Sequence, residues 1–107
     1  MIEFRVTGKN GRIERFSVTG HAGFAASEQD IVCAAISILV YNTINSCEKF
    51  ADIRLGVSDK RDTLSCQVPQ QGLRSAEVQL LLASMVYGVE QIEAQYPENI
   101  RMHHLLE

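Results

Sequence analysis

Tryptophan is absent from this chain, proline occurs only at positions 69 and 97, and cysteine only at 33, 47 and 66. An odd cysteine count with no close pair excludes a disulfide-stapled scaffold. No run approaches the ~18 consecutive apolar residues of a bilayer-spanning helix, so no membrane segment is expected. The opening stretch Met1-Ile2-Glu3-Phe4-Arg5-Val6 is broken at once by charge, unlike a secretory signal. An excess of positive charge is also lacking. Ten Lys and Arg face 13 Asp and Glu, for a net charge of −3, and the basic residues are scattered without interleaved aromatics. That balance weighs against a general nucleic-acid binder, and no direct nucleic-acid partner is expected. A reducing, cytoplasmic location is the simplest expectation.

What is present suits one domain over residues 1–107. The hydrophobic fraction is 46% and the charged fraction 21%, both ordinary for a globular protein. A chain of this size buries ~65% of its unfolded surface, enough for a core without staples.

Ile2, Phe4 and Val6 alternate with Glu3, Arg5 and Thr7, the pattern of a half-buried strand. Gly8-Lys9-Asn10-Gly11 is turn chemistry. Ile13, Phe16 and Val18 alternate less regularly, so the expected hairpin carries a bulge or a longer loop. Residues 20–29 are small and polar and read as a loop, with Phe24 its one large apolar side chain. Asp30 is a candidate N-cap for a helix running to about Phe50, apolar nearly all round in its first half. Ala51 to Val57 and Leu64 to Val68 predict a second hairpin around a polar turn at residues 58–62. From Ser75 to Gln95 apolar residues recur every three or four positions, marking a second helix with Ser75 as its cap. Ile100 and Met102 predict a last short strand. The order is ββαββαβ, an α+β fold with two helices packed on one mostly antiparallel sheet in two layers.

The chemistry concentrates between Gly20 and Ser37. His21 and Cys33 stand near the two ends of the polar loop. With Asp30 as cap, Cys33 is the third helical residue, where orphan N–H groups and the positive dipole end stabilise a thiolate. An imidazole within reach takes the thiol proton, and the thiolate can attack a carbonyl. On residue types alone the bland alternative stands beside this one. A cysteine in an apolar helix is ordinarily a small buried hydrophobe, and a loop histidine is ordinarily solvated. Cys47 and Cys66 read as structural. His103 and His104 are adjacent, which does not suit an i, i+4 zinc pair, and no metal or cofactor is expected.

At Gly20-His21-Ala22-Gly23-Phe24 and Asp30-Ile31-Val32-Cys33-Ala34-Ala35-Ile36-Ser37 the chain resembles the bacterial ribosomal-processing cysteine protease family, Prp. Gln79-Leu80-Leu81-Leu82 and Tyr96-Pro97-Glu98-Asn99-Ile100 extend the likeness over nearly the whole chain. The resemblance implies a cysteine endopeptidase that removes the N-terminal extension of large-subunit ribosomal protein L-twenty-seven. It implies His21 as base and Cys33 as nucleophile, Gly20, Asp30 and Ser37 as residues shaping the site, and Gly23, Phe24 and Glu28 on a loop that admits substrate. It also implies a homodimer. Glu28 departs from the family pattern, which has glycine there. The alternative from another class is a non-catalytic ribosome-assembly binding module.

Overall fold

The computed structural model describes residues 1–20 and 27–107, the side chains of residues 27–29 excepted. The chain forms β1 (Ile2–Lys9), β2 (Arg12–Thr19), α1 (Ser27–Ala51), β3 (Gly56–Lys60), β4 (Thr63–Gln67), α2 (Gln70–Leu73), α3 (Ala76–Gln95) and β5 (Ile100–Leu106). One five-stranded sheet has the order β3-β4-β2-β1-β5. Only the β1–β5 pair is parallel. The expected ββαββαβ order therefore holds, with the one-turn helix α2 added where the sequence suggests only a link.

The β1–β2 hairpin turns through Asn10 and Gly11, at φ 56° and 74°. Both residue types enter the left-handed region readily, which the tight turn requires. The expected bulge is also present. Thr7 faces Arg15 and Gly8 faces Ile13, leaving Glu14 as the extra residue. A Cβ on Gly8 would lie 2.0 Å from the Arg12 carbonyl oxygen, so only glycine fits. The backbone groups around the bulge find other partners. Val68 N–H donates to the Glu14 carbonyl at 2.9 Å. The Gln79 side chain accepts from Ile13 N–H at 2.7 Å and donates to its carbonyl at 3.0 Å. One amide thus ties α3 to the irregular part of the sheet, because buried backbone groups must be paired.

Alternation sends Ile2, Phe4, Val6, Phe16, Val18, Ile100 and Met102 to the face covered by helices, where all are buried. Phe4 and Phe16 stack there with ring centroids 5.9 Å apart. Each large side chain removed from water contributes about 1.5–3 kcal/mol. From above, α1 supplies Val32, Ile36, Val40 and Cys47, and α3 supplies Val78, Leu82, Met85 and Val89. Gly88 lets the helices meet closely, since a Cβ there would lie 3.0 Å from Leu39 Cδ1. Residues Asp30–Ala51 are long and apolar enough to cross a membrane by length and composition. Here that helix packs on α3, and its inward residues belong to the core.

Three sequence expectations need correction. Helix α1 starts at Ser27, so Asp30 is a helix residue and not the cap. The helix continues to Ala51 and is followed by Asp52 in the left-handed region at φ 55°. The strand expected at 51–57 is displaced to Gly56–Lys60, and its turn shrinks to Arg61 and Asp62. The reason is that β3 is an edge strand with all five residues exposed, so burial imprints no alternation on it. Val57 shares a face with buried Cys66 but stays 45% exposed.

Candidate active site

The site grows from two chain segments that meet at one end of the sheet. Strand β2 ends at Gly20, whose φ is +82°. A Cβ on Gly20 would stand 2.4 Å from the Met1 carbonyl oxygen. Its N–H donates to the Asp62 carbonyl at 3.1 Å, pinning the strand end to the β3–β4 turn. Glycine is thus required at the residue immediately before His21. His21, Gly23 and Phe24 themselves lie outside the described residues, as do Ala22, Ala25 and Ala26.

Helix α1 supplies the thiol. Cys33 is half-buried and packs against the core cluster. It is the seventh residue of α1, so its backbone lies beyond the first turn with its orphan N–H groups. The expected stabilisation of a thiolate by the helix start is therefore not what this position offers. Burial pushes the Cys33 thiol up, and the Asp30 carboxylate one turn earlier adds to the rise. The positive amino terminus pulls the other way. Val18, two residues before Gly20, lines one groove with Ile36 and Ser37, which sets the end of β2 beside the turn of α1 that follows Cys33.

Helical spacing carries the site onward. Asp30, Cys33, Ser37 and Tyr41 stand three or four residues apart, on one side of α1. Ser37 and Tyr41 border a shallow, mainly apolar groove whose other walls are Val18, Ile36, Val40 and Leu64. The Tyr41 hydroxyl donates to Asp59 Oδ2 at 3.1 Å, joining α1 to the edge strand. Burial, then the Asp59 bond, pushes the Tyr41 hydroxyl up, so it stays a donor. Tyr41 and the groove are the site features that the sequence reading misses. The i+8 spacing from Cys33 was the available signal. Glu28 is the second residue of α1. Glycine there would disfavour the helix by about 1 kcal/mol, so this departure fits an earlier helix start.

The remaining candidates separate cleanly. Cys47 and Cys66 are buried, and burial pushes the Cys66 thiol up to about 12. His103 and His104 leave β5 toward different partners. His103 Nε2 lies 2.8 Å from Glu3 Oε1, and His104 Nε2 lies 3.8 Å from Glu90 Oε2. The hydrogen bond from His103 holds the Glu3 carboxyl below its ordinary range.

A protein-family model described as cysteine protease Prp matches residues 1–101. The chain belongs to the Prp family. It is 31% identical over 91 residues to the ribosomal processing cysteine protease Prp of Bacillus subtilis (strain 168), covering 81% of each chain. The Staphylococcus aureus (strain Mu50 / ATCC 700699) protein of that description is 26% identical over 94 residues, covering 88% of this chain and 89% of its own. Among solved structures, SMU.848 from Streptococcus mutans superposes with a TM-score of 0.93 at 26% identity, covering 100% of this chain and 96% of its own. Prp from S. aureus with a covalently linked product peptide superposes at 0.84 and 25% identity, covering 97% of this chain and 99% of its own. Prp membership makes the protein a cysteine-type peptidase, a hydrolase of a ribosomal-processing family.

Proposed function

We propose that the protein is an endopeptidase in which Cys33 is the nucleophile and His21 its base, and that it removes the N-terminal extension of ribosomal protein L-twenty-seven. The observation that carries the reading is the placement of Cys33. Among the three cysteines it alone is partly accessible, and its helix face runs on into the groove bordered by Ser37 and Tyr41. Gly20, locked at the same end, delivers the chain to His21.

The chemistry follows from charge. Burial and the Asp30 carboxylate both disfavour the thiolate. Transfer of its proton to His21 leaves an imidazolium, whose positive charge offsets both penalties on the thiolate. The thiolate sulfur attacks the scissile carbonyl carbon, and the imidazolium then protonates the departing amine. Water, deprotonated by the imidazole, releases the acyl group and restores the thiol. The groove at Val18, Val40 and Leu64 accepts an apolar substrate side chain beside the scissile bond. The S. aureus relative with its covalently linked product peptide supports an acyl-enzyme course.

We further propose a homodimer acting in the cytoplasm. Large apolar side chains stand out from both long helices. Ile38 is 69% exposed, Leu80 71% and Tyr87 64%, a surface that a second copy would cover. The deciding experiment incubates the protein with the extended N-terminal peptide of the host's ribosomal protein and reads the products by mass spectrometry. One defined cut is expected with wild type and none with Cys33→Ser. Cleavage surviving in Cys33→Ser overturns the assignment.

A further inference from the structure

Among the described residues, neither long helix covers the second face of the sheet, and only the one-turn α2 borders it, at Gln70 and Leu73. Parity places Glu3, Arg5, Thr7 and Lys9 of β1 on it, with Arg12, Arg15, Ser17 and Thr19 of β2 beside them. Arg101 and His103 of β5 flank β1, and the register carries the same face through Thr63 and Ser65 to Ser58 and Lys60. The Glu3–His103 and Glu3–Arg5 contacts, at 2.8 and 3.5 Å, join side chains of that face.

Folding sorts the charge. Six of the ten basic residues, Arg5, Lys9, Arg12, Arg15, Lys60 and Arg101, belong to this face, and all six are exposed. Only three of the 13 acids accompany them, counting Glu3, the bulged Glu14 and Glu107 at the rim. The face carries +3, and the rest of the chain −6, within a total of −3. Among the described residues, Arg12, Arg15, Lys60 and Arg101 make no ion pair. With strands ~4.8 Å apart and residues rising ~3.3 Å, the field covers roughly 20 Å by 20 Å. The basic residues lie far apart in sequence, so the charge is invisible before folding.

We propose that this face binds the phosphodiester backbone of a nucleic acid. Cations and hydroxyl donors are the groups that hold phosphates, and Thr7, Ser17, Thr19, Ser58, Thr63 and Ser65 supply hydroxyls between the arginines. A protein partner needs buried apolar or aromatic anchors. Among the described residues, the face has no Phe, Tyr or Trp, and Leu105 is its one large apolar side chain. With no Phe, Tyr or Trp to stack successive bases and the cations spread across the face, recognition is of backbone charge and not of sequence. The proposal does not depend on the His21–Cys33 chemistry.

The test is fluorescence anisotropy of a labelled 20-nucleotide RNA hairpin, a DNA hairpin of the same sequence, and polyglutamate. Wild type is compared with Arg12→Gln/Arg15→Gln/Arg101→Gln and with the off-face triple Lys49→Gln/Arg61→Gln/His104→Gln. About four phosphate contacts predict a ~150-fold loss of wild-type affinity between 50 and 200 mM salt. The on-face triple should bind roughly ten-fold more weakly and lose only ~4-fold over that range. The off-face triple should match wild type. RNA and DNA binding alike supports backbone recognition, and RNA alone narrows the source. Equal weakening by both triples, polyglutamate binding as tight as nucleic acid, or no binding at 50 mM salt overturns the proposal. Should the on-face triple not fold by circular dichroism, Arg15→Gln alone must still flatten the salt dependence by about 0.9 in log–log slope.

Discussion

Helices α1 and α3 lie side by side on the same sheet and are built on opposite plans. Helix α3 begins at a conventional cap, with the Ser75 hydroxyl oxygen accepting from Val78 N–H at 3.1 Å, and Glu77 occupies its first turn. Its buried residues, Val78, Leu82, Met85, Val86 and Val89, form one stripe. Helix α1 is longer and apolar on more than one side. It buries Val32, Ile36 and Val40, yet leaves Ile31 56% and Ile38 69% exposed. It also carries the half-buried thiol and the groove. Both helices leave large apolar side chains in the open, Leu80 and Tyr87 on α3 among them, so the contrast is between a capped helix with one buried stripe and a helix that adds to its core face a half-buried thiol and a groove.

The largest expected effect breaks the first plan. Leu82 is fully buried. Leu82→Ala should cost about 2–5 kcal/mol, from lost burial and the cavity left behind. Ile38→Ala, at an exposed α1 position, should stay within about 0.5 kcal/mol in the monomer. Urea denaturation of both variants checks this. Similar losses would mean that the outer side of α1 is packed in solution.

A smaller effect separates the two helix starts. Ser75→Ala removes a bonded cap and should cost about 1 kcal/mol. Asp30→Ala should change stability by less than about 0.5 kcal/mol, because alanine is the better helix former at an interior position. Thermal melts of the pair decide it. A cost of ~1 kcal/mol for Asp30→Ala would restore Asp30 as the cap.

That pair also shows what could be read from sequence. Helix α3, the β1–β2 hairpin and its bulge were legible because each rests on local chemistry: Ser75, Asn10-Gly11, and the broken alternation at Glu14. The start of α1 was not, because an Asp before an apolar run looks the same whether it caps a helix or sits inside one. The displaced strand β3 was hidden because an exposed edge bears no burial pattern. At the site, Cys33 and Gly20 were legible as residues, whereas the groove was not. Val18 and Leu64 come to it from strands far apart in sequence. The basic sheet face was hidden for the same reason.

The smallest effect concerns the thiol itself. Asp30 stands one turn before Cys33, and its carboxylate adds to the rise that burial imposes. A negative charge nearby disfavours the thiolate, so replacing it by a neutral isostere must lower the thiol pKa. Asp30→Asn should therefore shift the iodoacetamide alkylation profile of Cys33 to lower pH. At a fixed pH below the midpoint the alkylation rate should rise about two-fold, because the thiolate is the reacting species. Cys66, buried and pushed up to about 12, should stay unlabelled in the native protein and react only in denaturant. It serves as the internal reference for intact folding. A profile that moves to higher pH would mean that Asp30 assists ionisation through a partner, and an unchanged profile would mean that its charge does not reach the sulfur. Because Asn keeps the capping ability of Asp but not its charge, the shift isolates the charge of Asp30 at the sulfur from any part that residue plays in starting the helix.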